Sequence, residues 1–156
     1  MPNRLQAELK QTKPFPRPSA EAALSILRTA AMLEHQVGDA LKPYRITMTQ
    51  YNVLRILRGA GAKGLCGREI GERMVSSVPD VSRLLDRMEE MGLIRRERDE
   101  ADRRHVTARI SPKGLDVVAR ATVPLEGVER AMLGHIPAGR LQAIIDTLED
   151  VRGAGD

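Results

Sequence analysis

Two stretches of the chain concentrate side chains that can grip an anion. Residues 95–106, RRERDEADRRHV, hold five arginines and four carboxylates. Residues 76–87, SSVPDVSRLLDR, carry Ser76, Ser77, Ser82, Arg83 and Arg87. A guanidinium presents a planar fork of donors that suits a phosphate or a guanine edge, and a serine hydroxyl can donate to either. The acids among the arginines keep the first stretch from being a plain polycation, and Asp99, Glu100 and Asp102 are placed to hold guanidinium groups. Between Cys66 and Ile110 the basic and acidic residues balance at ten each. Recognition of an anion there must rest on where the arginines stand, not on net charge. Other chemistry is poorly provided for. The three histidines, at 35, 105 and 135, share no ligand spacing, and a single cysteine excludes an intramolecular disulfide or a cysteine-cluster metal site. With no glycine-rich phosphate loop and no nucleophile motif, no catalytic residue, metal or cofactor is expected.

Composition sets the frame for these stretches. The 156 residues amount to one domain, 42% apolar and only 2% aromatic, so the core must be aliphatic and methionine-based. The net charge is +4 and the pI about 9.6. Twenty arginines against five lysines are explained as well by codon bias in a GC-rich genome as by a nucleic-acid partner. The first twenty residues contain no apolar run, so neither a signal peptide nor a membrane span is expected, and a soluble, cytoplasmic protein is.

The elements that must position the arginines are legible from periodicity and caps. Residues 1–19, with four basic residues, one acid and four prolines, read as an arm. Residues 20–41 read as a helix with Leu24, Leu27, Ala31, Val37 and Leu41 on one face, ended by Lys42-Pro43. Thr47 and Gln50 form a capping box for a second helix that buries Val53, Leu54 and Leu57. Cys66 stands at the next cap with Glu69 three residues on, and Leu65 and Ile70 can staple that short helix, which should break near Val75-Ser76. Ser77 is the expected cap of a fourth helix, with Pro79 and Asp80 in its first turn. Its inward face is Val81, Leu84, Leu85, Met88 and Met91, and Gly92 closes it. Two short helices joined by a few residues are a helix-turn-helix pattern. Beyond Gly92 the period drops to two, and Val106, Ala108 and Ile110 alternate with polar residues opposite 93–98. The arginine-rich stretch is then the tip of a hairpin appended to a helix-turn-helix, which is a winged helix. Ser111-Pro112 starts a long helix toward Gly134 with Pro124 inside it. A last helix opens at Pro137 with Leu141, Ile144, Ile145, Leu148 and Val151 on one stripe. The expected fold is mainly α with a small antiparallel β-hairpin wing. The first helix and the last two lie outside the helix-turn-helix, and they either wrap the same core or pack on a second copy.

The strings ITMTQYNVLRIL, LCGREIGERM, DVSRLLDRMEEMGLIRR and DRRHVTARISPKG, in this order and spacing, resemble the MarR family of bacterial transcription regulators. The resemblance covers residues 20 to 150 and is most specific from Leu84 to Gly114. Following the arm at 1–19, it implies a winged helix-turn-helix DNA-binding domain at 46–111 and a dimerisation region made of 20–42 and 112–152. It further implies a homodimer on a pseudo-palindromic operator in double-stranded DNA, with recognition helices about one DNA turn apart. Such proteins are mostly repressors, many of them released by a small aromatic acid, a drug-like molecule or an oxidant.

With that resemblance, the recognition-helix candidates are Ser76, Ser77, Pro79, Asp80, Ser82, Arg83 and Arg87. Asp80 would read a cytosine or brace an arginine, and Arg87 could instead pair with Glu90. In the wing the family pattern makes Arg104 the residue that enters the minor groove, with Arg98 and Arg103 on phosphates and Asp102 as a brace. Arg68 is a further phosphate candidate. The chain departs from the family where several members carry an Asp that pins the wing arginine; Ser77 stands there. His35, Tyr44 and Tyr51 lie where family effectors lodge. A winged-helix adaptor that binds protein rather than DNA is the alternative, and constitutive DNA binding without an effector is also open.

Overall fold

The fold is described from a computed structural model that covers residues 3–153. A short helix α1 (Arg4–Glu8), capped by Asn3, precedes a long helix α2 (Pro18–Leu41). The arm is therefore partly helical, and it is pinned to α2 by Asn3 Nδ2 donating to Glu21 and by Arg28 facing Glu8 at 3.9 Å. Helix α3 (Met48–Ala60) starts at the expected capping box: Gln50 N–H donates to Thr47 Oγ1 at 3.1 Å, and Thr47 N–H donates to Gln50 Oε1 at 3.0 Å. Strand β1 (Leu65–Cys66) runs directly into α4 (Gly67–Glu72), where Cys66 N–H donates to Glu69 Oε2 at 2.9 Å. Sequence periodicity missed β1, because two residues cannot show an alternation.

Helix α5 (Val81–Glu90) corrects one expectation. It starts later than predicted, and its cap is Asp80, whose Oδ1 accepts from Arg83 N–H at 2.9 Å. Ser77 and Pro79 lie outside the helix, and α4 ends at Glu72, before Val75. The reason is local. Pro79 disfavours helical backbone at Val78, so the turn stays open until Asp80, whose ionised carboxylate is a strong N-cap. One carboxylate oxygen of Asp80 is thus engaged by the helix backbone. The far end of α5 closes as expected. Gly92 takes φ +74°, Gly92 N–H donates to Glu89 O at 2.9 Å, and Leu93 N–H donates to Met88 O at 3.0 Å. This is the double bond of a Schellman motif.

Strands β2 (Ile94–Arg98) and β3 (Val106–Ile110) form the antiparallel hairpin, and β1 adds to its far side in the order β1-β3-β2. Ala108 pairs with both Leu65 and Arg96, and Ile110 with Ile94. Directly opposed residues share a face. Leu65, Ile94 and Ala108 are buried, so that face meets the core. Helices α6 (Pro112–Leu133) and α7 (Ala138–Gly153) complete the chain, with α6 running continuously past Pro124.

The core gathers Leu41, Val53, Leu54, Leu57, Ile70, Met88 and Val118 with the inner face of the hairpin. Each fully buried leucine or methionine contributes about 1.5–3 kcal/mol. The predicted stripe of α2 joins that core at only one end: Leu41 is buried and Val37 packs on it, while Leu24 and Leu27 are exposed. Helix α7 buries no residue, and Ile144, Ile145 and Val151 stand near half exposure. Apolar surface on α2, α6 and α7 is therefore left without a covering element among the described residues.

The start of α6 is locked to the end of α5. Ser111 Oγ donates to Gly92 O and accepts from Gly114 N–H at 3.0 Å, and Ser111 N–H donates to Leu93 O at 3.0 Å. A Cβ on Gly114 would lie 2.2 Å from Leu93 O, which is backbone and cannot step aside. Gly114→Ala should lower the unfolding free energy by about 1–3 kcal/mol, read as a lower urea midpoint at unchanged slope. A midpoint equal to that of the parent would show that the joint has slack.

Candidate nucleic-acid interface

The exposed face of α5 is what its buried face leaves over. Leu85 and Met88 are buried, Val81, Leu84 and Met91 pack against the core, and Ser82, Arg83 and Arg87 are exposed. Ser76, Ser77, Pro79 and Asp80, all exposed, form the open turn that leads into the helix. Arg87 faces Glu90 at 3.9 Å with both side chains more than two-thirds exposed, a pair worth little in water. Arg68 donates to Glu72 at 2.9 Å, and that hydrogen bond raises its pKa above the ordinary guanidinium value. As a phosphate contact Arg68 would first have to leave its partner.

The wing tip corrects the expected role of the acids. Asp99 Oδ1 accepts from Ala101 N–H at 2.9 Å, and Asp102 Oδ1 accepts from Arg104 N–H at 3.0 Å. Asp99 N–H donates to His105 O, and His105 N–H donates to Asp102 O, both at 2.9 Å. The aspartates shape the backbone of the turn. Among the described residues no carboxylate lies in ion-pair range of Arg98, Arg103 or Arg104, nor of Arg83. All four are exposed. An aspartate prefers its own backbone here because an Asx turn closes over two residues, whereas gripping a long guanidinium costs rotamer entropy.

One functional residue escaped the sequence reading. Arg96 occupies an inward position of β2, opposite Ala108, where an apolar residue would be ordinary. Its Nη2 donates to Asp86 and, at 3.2 Å, to Glu89, both on α5, and its own N–H donates to Glu89 Oε2 at 2.8 Å. Asp86 is thus part of a strut between α5 and the wing. The Arg96 side chain is 20% exposed. Burial works against its charge, and the carboxylates of Asp86 and Glu89 outweigh it, leaving the guanidinium pKa above its ordinary value. Its Nε has no acceptor among the described residues. Arg109 on β3 holds the hairpin in another way, donating to Ala62 O in the turn after α3 at 2.8 Å and to Glu97 on β2 at 2.9 Å.

A second concave feature lies where α2, α3 and α6 meet the turn before α5. It is a cavity of about 390 Å³, walled by Leu33 and Val37, Tyr51 and Asn52, Val75, and Leu125. Of the three expected effector residues, only Tyr51 reaches it. His35 is exposed and faces Asp39 at 3.3 Å, and Tyr44 lies under Arg120 at 5.7 Å. Helical phase decides this, since Val37 and Leu33 take the inward face of α2. Tyr51 Oη is 2.9 Å from Thr122 Oγ1, which itself donates to Val118 O, so the tyrosine is the donor. Asn52 Oδ1 accepts from Val75 N–H at 2.8 Å, a tie between the cavity wall and the turn that carries Ser76 and Ser77.

Helix-turn-helix, three-stranded wing and flanking long helices together define a winged-helix protein. Residues 46–106 match the sequence profile of the MarR family. Transcriptional regulator HosA of Escherichia coli is 32% identical over 108 residues, covering 69% of this chain and 74% of that protein. Sco5413, a MarR family transcriptional regulator from Streptomyces coelicolor, superposes with a TM-score of 0.75 at 30% identity, covering 88% of this chain and 95% of that one. The fold also matches MepR of Staphylococcus aureus in its DNA complex, with a TM-score of 0.78 at 20% identity over 85% and 96% of the two chains. The chain belongs to the MarR family of transcriptional regulators and is not an enzyme.

Two measurements test the frame. Arg96→Ala should cost about 1–3 kcal/mol of stability, whereas Arg87→Ala, which removes an exposed pair, should change it by less than about 0.5 kcal/mol. Equal effects would refute the strut. Glu69 offers a pH test, because the Cys66 backbone N–H holds its carboxyl below the ordinary carboxylate range. A depressed pKa adds stability above the unfolded-state value, and that stability is lost as pH falls through the folded-state value. The parent should therefore be more stable than Glu69→Gln at neutral pH. That difference should shrink on acidification below the ordinary carboxylate range.

Proposed function

We propose that this chain is a sequence-specific DNA-binding regulator that acts as a homodimeric repressor on a pseudo-palindromic operator and is released by a small molecule. The observation that carries the reading is the set of exposed guanidinium groups with no ion pair among the described residues, Arg83 on α5 with Arg98, Arg103 and Arg104 on the wing, joined in one frame by Arg96. Guanidinium groups without intramolecular partners gain the full benefit of meeting phosphate, because no ion pair must break first. Arg83, Ser76, Ser77 and Ser82 would face base edges or phosphates in the major groove, and Arg104 would enter the minor groove between phosphate contacts from Arg98 and Arg103. Asp102 supports that role by setting the backbone beneath Arg104.

Residues 46–111 would form the DNA-binding part. Residues 20–42 and 112–152 would form the dimerisation region, which accounts for the exposed Leu27, Val123, Ile144, Ile145 and Val151. Covering that surface with a second copy removes apolar area from water and places two winged helices on one duplex. A dimer seated on a promoter blocks it sterically. The cavity beside the Asn52–Val75 hydrogen bond is where a small molecule would act, since its occupant touches the turn that leads into α5.

Fluorescence anisotropy on DNA from upstream of the protein's own gene, at two salt concentrations, tests the reading. The parent should bind far more tightly than to random duplex, with affinity falling steeply in salt. Arg83→Ala should weaken binding by about 1–3 kcal/mol, and the Arg103→Ala/Arg104→Ala pair should flatten the salt dependence by about one to two phosphate contacts. Wing variants that bind DNA like the parent would favour a protein-binding adaptor.

A further inference from the structure

We propose that the cavity between α2, α3 and α6 selects an apolar cation over an aromatic acid, one of the effector types that the family resemblance implied. The inference rests on the reading of this cavity as a small-molecule site and adds the charge of its occupant. The wall is largely hydrocarbon, from Leu33, Val37, Met48 and Leu125, which suits the apolar body of a ligand. Its formal charges come from Glu34 on α2, Glu129 on α6 and Arg55 on α3. Two carboxylates against one guanidinium leave the lining at net −1.

The three are not equivalent. Arg55 Nη1 already donates to Tyr51 Oη at 3.3 Å, which draws it along its own helix. Glu34 and Glu129 have no ion-pair partner within 4.0 Å among the described residues. Both are exposed at the cavity's margin, so they cost nothing in the empty state. A cation seated against the apolar wall would meet two negative charges from opposite helices. An anion would meet the same two charges and one guanidinium already hydrogen-bonded elsewhere. Screening by water at the margin keeps the discrimination moderate rather than absolute. The preference also runs against the net charge of +4 carried by the whole chain. A cation that binds better than a matched anion must therefore be reading the cavity and not the global field.

The test uses two ions of the same shape and opposite sign, tetraphenylphosphonium and tetraphenylborate, titrated calorimetrically into the full chain. The phosphonium should bind at least about tenfold more tightly. The Glu34→Gln/Glu129→Gln variant, which keeps size and polarity, should lose that preference while folding and binding DNA like the parent. If this double variant folds poorly, each single change should remove part of the preference. Equal or tighter binding of the borate, a preference untouched by the glutamines, or no binding of either ion would overturn the proposal. Anisotropy of the DNA complex during the same titration separates the two readings. Selective phosphonium binding without DNA release would sustain the charge preference and remove the role of this cavity in release.

Discussion

The joint between the end of α5 and the start of α6 is the constraint on which the rest depends. Within a few residues the chain closes α5 with a left-handed glycine, turns into β2, and receives the returning β3 and the N-terminus of α6. Ser111 binds both sides of that turn, and Lys113 Nζ adds a donor to Met91 O at 2.8 Å. Carbonyls that a helix end would leave without partners are satisfied by the N-terminal residues of another helix. Helix α5, the wing and the long helix α6 therefore share one origin.

Arg96 extends this frame outward. A sheet position facing the core is normally apolar, and a buried charge survives only where partners repay its desolvation. Here the partners come from α5, so the repayment itself fixes the angle between helix and wing. The wing can then be short and strongly charged without drifting. Backbone turns made by Asp99 and Asp102 hold its tip, leaving the tip arginines without an ion-pair partner among the described residues. Charge without an internal partner is a poor device for stability and a good one for meeting phosphate.

The cavity stands on the other side of the same turn. Asn52 holds Val75 from α3, and the residues after Val75 lead to the Asp80 cap. Thus one short segment borders both the cavity and the outward face of α5. Coupling between them needs no long pathway, only a change in how that segment is held. The apolar faces of α2, α6 and α7 complete the arrangement, since no element among the described residues covers them.

Local chemistry was legible in the residues themselves. The capping box at Thr47 and Gln50, the closing glycine at 92, the serine cap at 111 and the period-two alternation of Val106, Ala108 and Ile110 each act over a few residues, so each can be read in order. Strand β1 could not be read that way, because two residues become a strand only when β3 lies beside them. Asp80 displaced Ser77 as the cap because Pro79 keeps Val78 out of helical backbone, so the helix can start only after it, a contest that composition alone leaves undecided. Arg96 looked like one arginine in a charged run, and its partners are seven and ten residues away across a turn. His35 and Tyr44 sat near the cavity in sequence and away from it in space, because helical phase and packing, not proximity along the chain, choose which side chains meet. Sequence by itself determined the elements and their order, through forces that reach a turn or two. Tertiary structure decided which charges are paired, which are left free, and which walls enclose a space, because those outcomes depend on distances between elements that no local rule contains.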